Sequence, residues 1–164
     1  MAAIVEQPGF TSDKFDNEED DTEIMAENFQ APAIGLKTLD GKSVTIGGRQ
    51  DRPQIINFWA SWCPPCRAEF PELEEFYADH KDEIYFFAIS QDEDLESAEE
   101  FVEDRAENYD ALPILFDAGH LAGESYEIEY LPTTLVVDTN GMVRATMVGG
   151  ITRSKLESVL DSLS

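Results

Sequence analysis

The spacing of hydrophobic residues predicts that strands and helices alternate along most of the chain. Residues 54–59 and 84–89 are short, nearly continuous apolar runs, which is typical of strands buried on both faces of a sheet. Between them, apolar residues recur at helical spacing from Phe70 to Tyr77. A shorter run at 113–116 predicts a third strand. The middle of the chain therefore has the pattern of strands joined by helices.

The second half of the chain predicts a hairpin followed by a helix. Residues 133–137 and 142–148 flank Asn140–Gly141, a dipeptide that strongly favours a β-hairpin turn. Residues 121–128 predict one or two helical turns, and the apolar residues of 156–163 share one face of a final helix.

Two Ser-x-x-Glu pairs have the spacing of capping boxes at helix starts. Ser97 and Glu100 would open a helix that runs toward Tyr109, and Ser154 and Glu157 would open the final helix.

The first part of the chain differs in composition from the rest. Seven acidic residues and one lysine lie between Thr11 and Glu23, which predicts a flexible acidic leader. We assign residues 1–28 to this leader and residues 29–164 to one domain. Within 29–48, two short apolar runs around Asp40–Gly41 predict an N-terminal β-hairpin. The whole order predicts an α/β fold, a central mixed β-sheet with helices on both faces, preceded by that hairpin.

The charge of the chain excludes two classes of partner. With 35 acidic and 11 basic residues, the net charge is -24 at pH 7, which opposes binding to nucleic acid or to anionic lipid. Solubility, or a salt-rich habitat that screens self-repulsion, explains most of this acidity. Fifteen acidic residues fall between Glu69 and Asp104. We expect partners that are neutral or basic near their reactive group, with association that weakens as salt rises.

The two cysteines of the chain, Cys63 and Cys66, lie where a predicted strand gives way to a predicted helix. A structural disulfide would close too short a loop to contribute much, and zinc would need two further ligands, whereas His80 and His120 lie 40 positions apart. A redox pair fits best, because a helix N-terminus favours the thiolate that attacks disulfides. Cys63 would be the nucleophile, and Cys66 would resolve the mixed disulfide.

The two prolines between the cysteines predict a reducing couple. Pro65 has no N–H to offer the Cys63 sulfur, which leaves the amides of Cys66 and Arg67 as donors. Fewer donors stabilise a thiolate less, so we expect the Cys63 pKa to lie well above that of a strongly oxidising enzyme.

Three segments of the chain carry a family resemblance: residues 59–71 (WASWCPPCRAEFP), the Leu131–Pro132–Thr133–Thr134 segment and the Asn140–Gly141 hairpin. Together they resemble the TlpA/ResA-like branch of thioredoxin-fold thiol–disulfide oxidoreductases. The resemblance implies a thioredoxin-like fold in which Pro132 follows a cis peptide bond and faces the disulfide. It also implies that the backbone of Leu131 lies beside Cys63, where an extended substrate segment could pair with it. Trp62, next to Cys63, is expected to be an exposed platform for the substrate.

The same resemblance implies an enzyme that exchanges disulfides with protein substrates, as a reductant more than as an oxidant. Its partners would be a protein dithiol or disulfide substrate and a thiol electron donor. We expect a monomer that needs no cofactor and no metal beyond the redox-active Cys63–Cys66 disulfide. Relatives of this type usually work outside the cytoplasm on an N-terminal membrane anchor, so we expect that location, with the anchor absent from this sequence. A cytoplasmic protein is the alternative.

One departure from the wider thioredoxin pattern concerns proton transfer. Thioredoxins carry a buried Asp in the strand before the active site, whereas this chain has Asn57, which cannot titrate. The role must pass to water or to another carboxylate. The resemblance suggests an acid in the loop after the next strand, where Asp92 and Glu93 are the candidates and Gln91 could instead take that place. A solvated acidic loop is the simpler interpretation of these residues.

Two other functions stay open at this point. A peroxiredoxin-like thiol peroxidase shares the fold, but the Pro-x-x-x-Thr-x-x-Cys pattern of such enzymes is absent. A non-catalytic thioredoxin-fold binding module is the second alternative, and the intact Cys-x-x-Cys motif speaks against it.

Overall fold

Eight strands form one mixed sheet in this computed structural model, which describes residues 23–104 and 112–163. The strands are β1 (Glu23–Gln30), β2 (Ile34–Thr38), β3 (Ser43–Ile46), β4 (Gln54–Trp59), β5 (Tyr85–Ser90), β6 (Ile114–Phe116), β7 (Thr133–Val137) and β8 (Met142–Val148). The helices of these residues are α1 (Pro64–His80), α2 (Leu95–Asp104), α3 (Leu121–Ser125) and α4 (Arg153–Asp161), with a short 3-10 turn at Ala118–His120 before α3.

Strand β4 lies in the middle of the sheet, whose spatial order is β1-β8-β7-β4-β5-β6-β2-β3. It pairs in parallel with β5 and antiparallel with β7, and all six of its residues are buried. This agrees with the continuous apolar run that predicted it. Because β4 is buried on both faces, the chain that leaves it at Trp59 starts from a fixed position.

The two faces of the sheet carry separate hydrophobic clusters. One cluster surrounds Trp59 and Phe70 and includes residues of α1, α2 and α4. The other surrounds Phe58 on the opposite face and includes Ala122 and Tyr126, at and just after α3. The predicted fold class, a mixed sheet with helices on both faces and a thioredoxin-like arrangement, is confirmed.

The N-terminal part of the structure adds one strand to the predicted hairpin. Strands β2 and β3 form the hairpin, with Ile34 opposite Ile46. Strand β1 begins at Glu23, inside the segment assigned to the leader, and it pairs with β8 from Glu23–Val148 to Gln30–Met142. Residues 1–22 of the predicted leader lie outside the described residues.

Both helices that were expected to open on a Ser-x-x-Glu box open on a different residue. The Asp94 carboxylate accepts the amide hydrogen of Ser97 at 2.8 Å, and α2 begins at Leu95. The Thr152 hydroxyl accepts the amide hydrogen of Lys155 at 3.2 Å and caps α4. The two capping-box assignments were therefore wrong, because Asp94 and Thr152 are also favourable N-cap residues and lie earlier in the chain than the two serines. The expected end of the first of these helices, near Tyr109, lies outside the described residues.

Gly47 joins the N-terminal hairpin to the end of α3 by a close backbone approach. The Tyr126 hydroxyl donates to the Pro32 carbonyl oxygen at 2.6 Å directly beside it. A Cβ atom on Gly47 would lie 1.9 Å from that oxygen and 2.4 Å from the Tyr126 hydroxyl. Gly47 also has a φ of 76°, in the left-handed region that side chains other than glycine rarely adopt.

We therefore expect Gly47→Ala to lower the free energy of unfolding by about 3 kcal/mol, since both backbone strain and overlap oppose the methyl group. Gly35→Ala is the control, because a methyl group there would meet open space. Urea denaturation of both variants measures the difference. Equal stability of the two variants would contradict the contact described here.

Candidate active site

Cys63 and Cys66 lie at the junction of β4 and α1 and form a disulfide, with their Cα atoms 5.3 Å apart. After β4, the chain turns so that the Cys63 amide donates to the Ala60 carbonyl oxygen at 3.2 Å. Cys63 is the N-cap of α1, and the two prolines follow at the first helical positions. A missing N–H costs nothing there, since those amides have no partner within the helix. The Pro-Pro pair therefore starts the helix directly after Cys63.

The two sulfur-bearing residues differ in exposure and in contacts. Cys63 retains 3% of its surface exposed, whereas Cys66 is fully buried. The Cys66 amide points at the Cys63 Sγ atom at 3.4 Å, as expected. The expectation for Arg67 was wrong, because its amide donates to the Cys63 carbonyl oxygen at 3.1 Å as the first bond of the helix. The Cys63 sulfur thus has one of the two expected amide donors.

A buried carboxyl group, Glu69, lies one helical turn after Cys66 on α1. Its side chain is 3% exposed. The Asn57 side-chain amide donates to Oε2 at 2.9 Å, and the Ile151 backbone amide donates to Oε1 at 3.2 Å. Burial raises the pKa of Glu69 to about 8, against the opposing effect of these two hydrogen bonds. A carboxyl group with this pKa can exchange a proton near neutral pH.

Glu69 is the buried ionisable residue beside the redox pair in the chain that the sequence reasoning missed. Cys66, Glu69, Phe70 and Leu73 are all buried residues of α1, so Glu69 lies on the apolar face of the helix. A glutamate at a position where the 3.6-residue period requires an apolar side chain is the signal that could have found it.

Asn57 connects Glu69 to the sheet. Its amide nitrogen donates both to Glu69 and to the Thr134 hydroxyl of β7, each at 2.9 Å. Its Oδ1 atom is buried and has no hydrogen-bond partner among the described residues. The titratable group that thioredoxins carry in this strand is thus replaced by an amide here, with a carboxyl group beside it on the helix.

The two acids expected to take part in proton transfer lie in different environments. Asp92 is buried and accepts hydrogen bonds from the Ser61 amide at 3.1 Å, the Ser61 hydroxyl at 2.7 Å and the Ser90 hydroxyl at 2.7 Å. It therefore holds the turn between β4 and Cys63. The Glu93 side chain is 87% exposed, with Oε2 3.3 Å from Nε2 of His120. A role of either acid in proton transfer stays a prediction.

A groove with a volume of about 400 Å³ lies beside Cys63. Its lining includes Trp62, Gln91, Glu93, Glu129, Tyr130 and Leu131. Trp62 is 65% exposed and Tyr130 is 61% exposed, whereas Trp59 is fully buried against Phe70, with ring centroids 4.9 Å apart. The Leu131–Pro132 peptide bond at the end of this lining is cis. Tyr130 is a second exposed aromatic residue here, which the sequence did not indicate.

The two histidines lie against carboxylate and amide groups. His80 lies 3.2 Å from both Glu83 and Glu157, and His120 lies 3.2 Å from the Gln91 side-chain oxygen. Within residues 23–104 and 112–163, no cluster of three or more His, Cys, Asp or Glu side chains is arranged to hold a metal ion.

Comparison with known proteins agrees with the interpretation of Cys63 and Cys66 as a redox pair. The Redoxin family model matches residues 26–160. The thioredoxin-like protein YneN of Bacillus subtilis is 33% identical over 138 residues, covering 84% of this chain and 80% of that protein. The thiol-disulfide oxidoreductase ResA of Oceanobacillus iheyensis is 29% identical, covering 90% of this chain and 78% of ResA. The crystal structure of StoA from Bacillus subtilis superimposes with a TM-score of 0.68 at 25% identity, covering 79% of this chain and 97% of StoA.

The fold and the cysteine pair define a thioredoxin-fold redox protein, and the chain belongs to the Redoxin family. Within that family it is a member of the TlpA/ResA-like branch, as its motifs indicated.

The buried Glu69 predicts a particular dependence of stability on pH. The folded-state pKa, about 8, lies above the ordinary value of 4.5. The folded protein therefore binds more protons than the unfolded chain within that window, and this group makes the free energy of unfolding fall as the pH rises through it.

We expect Glu69→Gln to remove that decline. The free energy of unfolding of the variant minus that of the wild type should increase between pH 5 and pH 8.5 by up to about 4 kcal/mol. Denaturant titrations of the oxidised proteins measure it, with the exposed Glu96→Gln on α2 as control. Parallel pH curves for wild type and Glu69→Gln would show that Glu69 ionises normally.

Proposed function

We propose that this chain is a thiol–disulfide oxidoreductase that reduces disulfides in protein substrates. The observation that carries the proposal is the arrangement of the pair at the start of α1. Cys63 lines an open groove, whereas Cys66 lies buried behind it, one turn before the protonatable carboxyl group of Glu69. A dithiol reductant requires an attacking sulfur on the side where the substrate binds and a resolving sulfur shielded behind it.

The reaction takes two exchange steps. In the reduced enzyme, the Cys63 thiolate attacks one sulfur of the substrate disulfide, which breaks the substrate S–S bond and releases the other substrate sulfur as a thiolate that takes up a proton. Cys66 then loses its proton and attacks the Cys63 sulfur, which breaks the mixed disulfide and releases the second substrate thiol. The substrate gains two electrons and two protons, and the enzyme ends with the Cys63–Cys66 disulfide.

Glu69 supports the second of these steps. Cys66 is fully buried, so its proton needs an acceptor inside the protein. We assign that role to the Glu69 carboxyl group, because its pKa of about 8 is close to the ordinary pKa of a cysteine thiol. Asn57 and the Ile151 amide hold the carboxyl group in place by their hydrogen bonds. Asp92, with three hydrogen bonds to Ser61 and Ser90, supports the turn that carries Cys63.

The contacts of Cys63 favour reduction over oxidation. A strongly oxidising enzyme stabilises its nucleophilic thiolate, and so its reduced form. The Cys63 sulfur accepts one amide hydrogen bond, from Cys66, and Pro65 contributes none. The buried Glu69 lies six residues after Cys63 in the chain, on α1, and where it is ionised its negative charge opposes a second anion at the cysteine pair.

The substrate would bind across the groove beside Cys63. Leu131 and the following cis Pro132 bring a bend of the backbone to the end of this groove, and Trp62 offers an exposed ring next to Cys63. An extended substrate segment that pairs with the Leu131 backbone would place its disulfide against Cys63.

We further propose a thiol electron donor that re-reduces the pair, a monomeric protein, and a location outside the cytoplasm on a membrane anchor. The resemblance to the TlpA/ResA-like branch supports this location. In the part of the chain that the structure describes, no helix has the length and apolarity to span a membrane.

The reduction potential of the Cys63–Cys66 couple tests the direction of electron flow. Equilibration with glutathione or dithiothreitol buffers should give a value near that of thioredoxin, about -270 mV, since Cys63 lacks strong thiolate stabilisation. A value near that of DsbA, about -120 mV, would show an oxidant. Consumption of peroxide at a comparable rate in the presence of a dithiol would instead indicate a thiol peroxidase.

Single substitutions test the order of the two steps. We expect Cys66→Ser to accumulate a mixed disulfide between Cys63 and an unfolded test protein whose single cysteine is activated as a disulfide with a small aromatic thiol, which leaves when Cys63 attacks; the adduct persists because the resolving thiol is missing. Cys63→Ser should form no such adduct, since Cys66 is buried. Mass spectrometry after acid quenching measures both, and an adduct on Cys66 in the Cys63→Ser variant would reverse the assignment.

A further inference from the structure

Exposed aromatic rings lie beside the redox pair. Trp62 and Tyr130 are 65% and 61% exposed, and both line the groove next to Cys63. Among the described residues, Arg52 lies over the Tyr85 ring and Arg67 over the Phe101 ring, whereas no such contact is formed by the two groove rings. The groove therefore presents two aromatic side chains to whatever enters it.

Two carboxylates line the same groove. Glu93 follows β5 and Glu129 precedes β7, and both are exposed. The lining residues that the structure describes include no lysine and no arginine. His120, 3.3 Å from Glu93, is the one described residue of this lining that can become positive, so while its ring is neutral both carboxylates keep their charge in the space in which a substrate would bind.

A series of side-chain contacts connects a buried carboxylate to Glu93. Asp117 is fully buried and accepts the amide hydrogens of Ala122 and Gly123 at 2.9 and 2.8 Å. It also accepts a hydrogen bond from the Gln91 amide nitrogen at 2.8 Å, which turns the Gln91 oxygen toward His120 Nδ1 at 3.2 Å.

These contacts determine which ring nitrogen of His120 lies next to Glu93. Because the Gln91 oxygen can accept but not donate, Nδ1 carries the hydrogen of that contact. Nε2 is left facing Glu93, 3.3 Å from Oε2. In the neutral ring Nε2 is then an acceptor and cannot bond to the Glu93 carboxylate, so this contact is a hydrogen bond only when His120 is protonated.

We propose that this groove binds an arginine or lysine side chain of the substrate, within a few residues of the cysteine that reacts with Cys63. Aromatic faces attract cations, and a guanidinium group can stack on a Trp or Tyr ring while it pairs with a carboxylate. The four groove side chains Trp62, Tyr130, Glu93 and Glu129 together supply both kinds of contact at the redox pair. This inference rests on the proposed function and names its substrate class: disulfides in basic segments of polypeptide.

Three disulfide-linked peptides of equal length test the proposal. They carry Arg, Gln or Glu two residues from the cysteine and are otherwise identical, and their reduction by the reduced enzyme is followed at low ionic strength. We expect the Arg peptide to react about tenfold faster than the Glu peptide, a difference that one cation–π contact and two exposed charge pairs can supply. This ratio should fall as salt is added, because exposed charges are screened.

Variants of the groove separate specificity from turnover. In the Glu93→Gln/Glu129→Gln double variant, the ratio of the Arg rate to the Glu rate should fall to less than about threefold, since the exposed charge pairs are lost. Tyr130→Leu should lower the ratio through the lost ring, with a smaller effect on its salt dependence. Glu96→Gln, which removes an exposed charge on α2 outside the groove, should leave the ratio at the wild-type value.

The outcomes distinguish this inference from the function on which it rests. Equal rates for the three peptides, or an unchanged ratio in the double variant, would overturn the proposed specificity while leaving the oxidoreductase activity in place. Failure of the wild-type enzyme to reduce any of the three peptides would overturn the proposed function itself.

Discussion

The hydrogen bonds of one buried carboxyl group determine how the elements around the redox pair fit together. Glu69 accepts from Asn57 of β4 and from the Ile151 amide just before α4, and Asn57 also donates to Thr134 of β7. A buried polar group that loses its partner costs about 1–3 kcal/mol, so a shift of any of these elements relative to α1 would be opposed at this point. The proton acceptor of the reaction is thus also a constraint on the fold.

The redox pair lies between an inner and an outer group of polar side chains. The inner group, Glu69 and Asn57, is closed to solvent, and Glu69 lies one helical turn after Cys66. The outer group, Glu93 and Glu129, borders the groove and acts on what reaches Cys63. Burial changes the chemistry of a carboxyl group, since it raises the pKa of Glu69 to about 8, which suits proton exchange near neutral pH. The same residue type therefore serves proton transfer in one place and substrate recognition in the other.

The sequence predicts the central strands well and the polar interior poorly. Strand β4 and the two strands of the last hairpin have the predicted bounds, because a continuous apolar run and an Asn-Gly turn are local signals. Strand β1 was not predicted, because it is acidic at its start and gains its stability by pairing with β8, more than 100 positions away. Glu69 was missed because a glutamate is ordinarily exposed, and its partners come from two other segments of the chain, β4 and the residues just before α4.

Glu23, the first residue that the structure describes, lies at the same edge of the sheet as the reactive sulfur atoms. Glu23 pairs with Val148, which pairs with Thr133 next to the cis Leu131–Pro132 bond, so the chain enters the sheet at its catalytic edge. A label or partner attached directly at Glu23 would therefore lie on the edge of the sheet that carries Cys63, so its distance from the cysteine pair would be fixed by the width of three neighbouring strands.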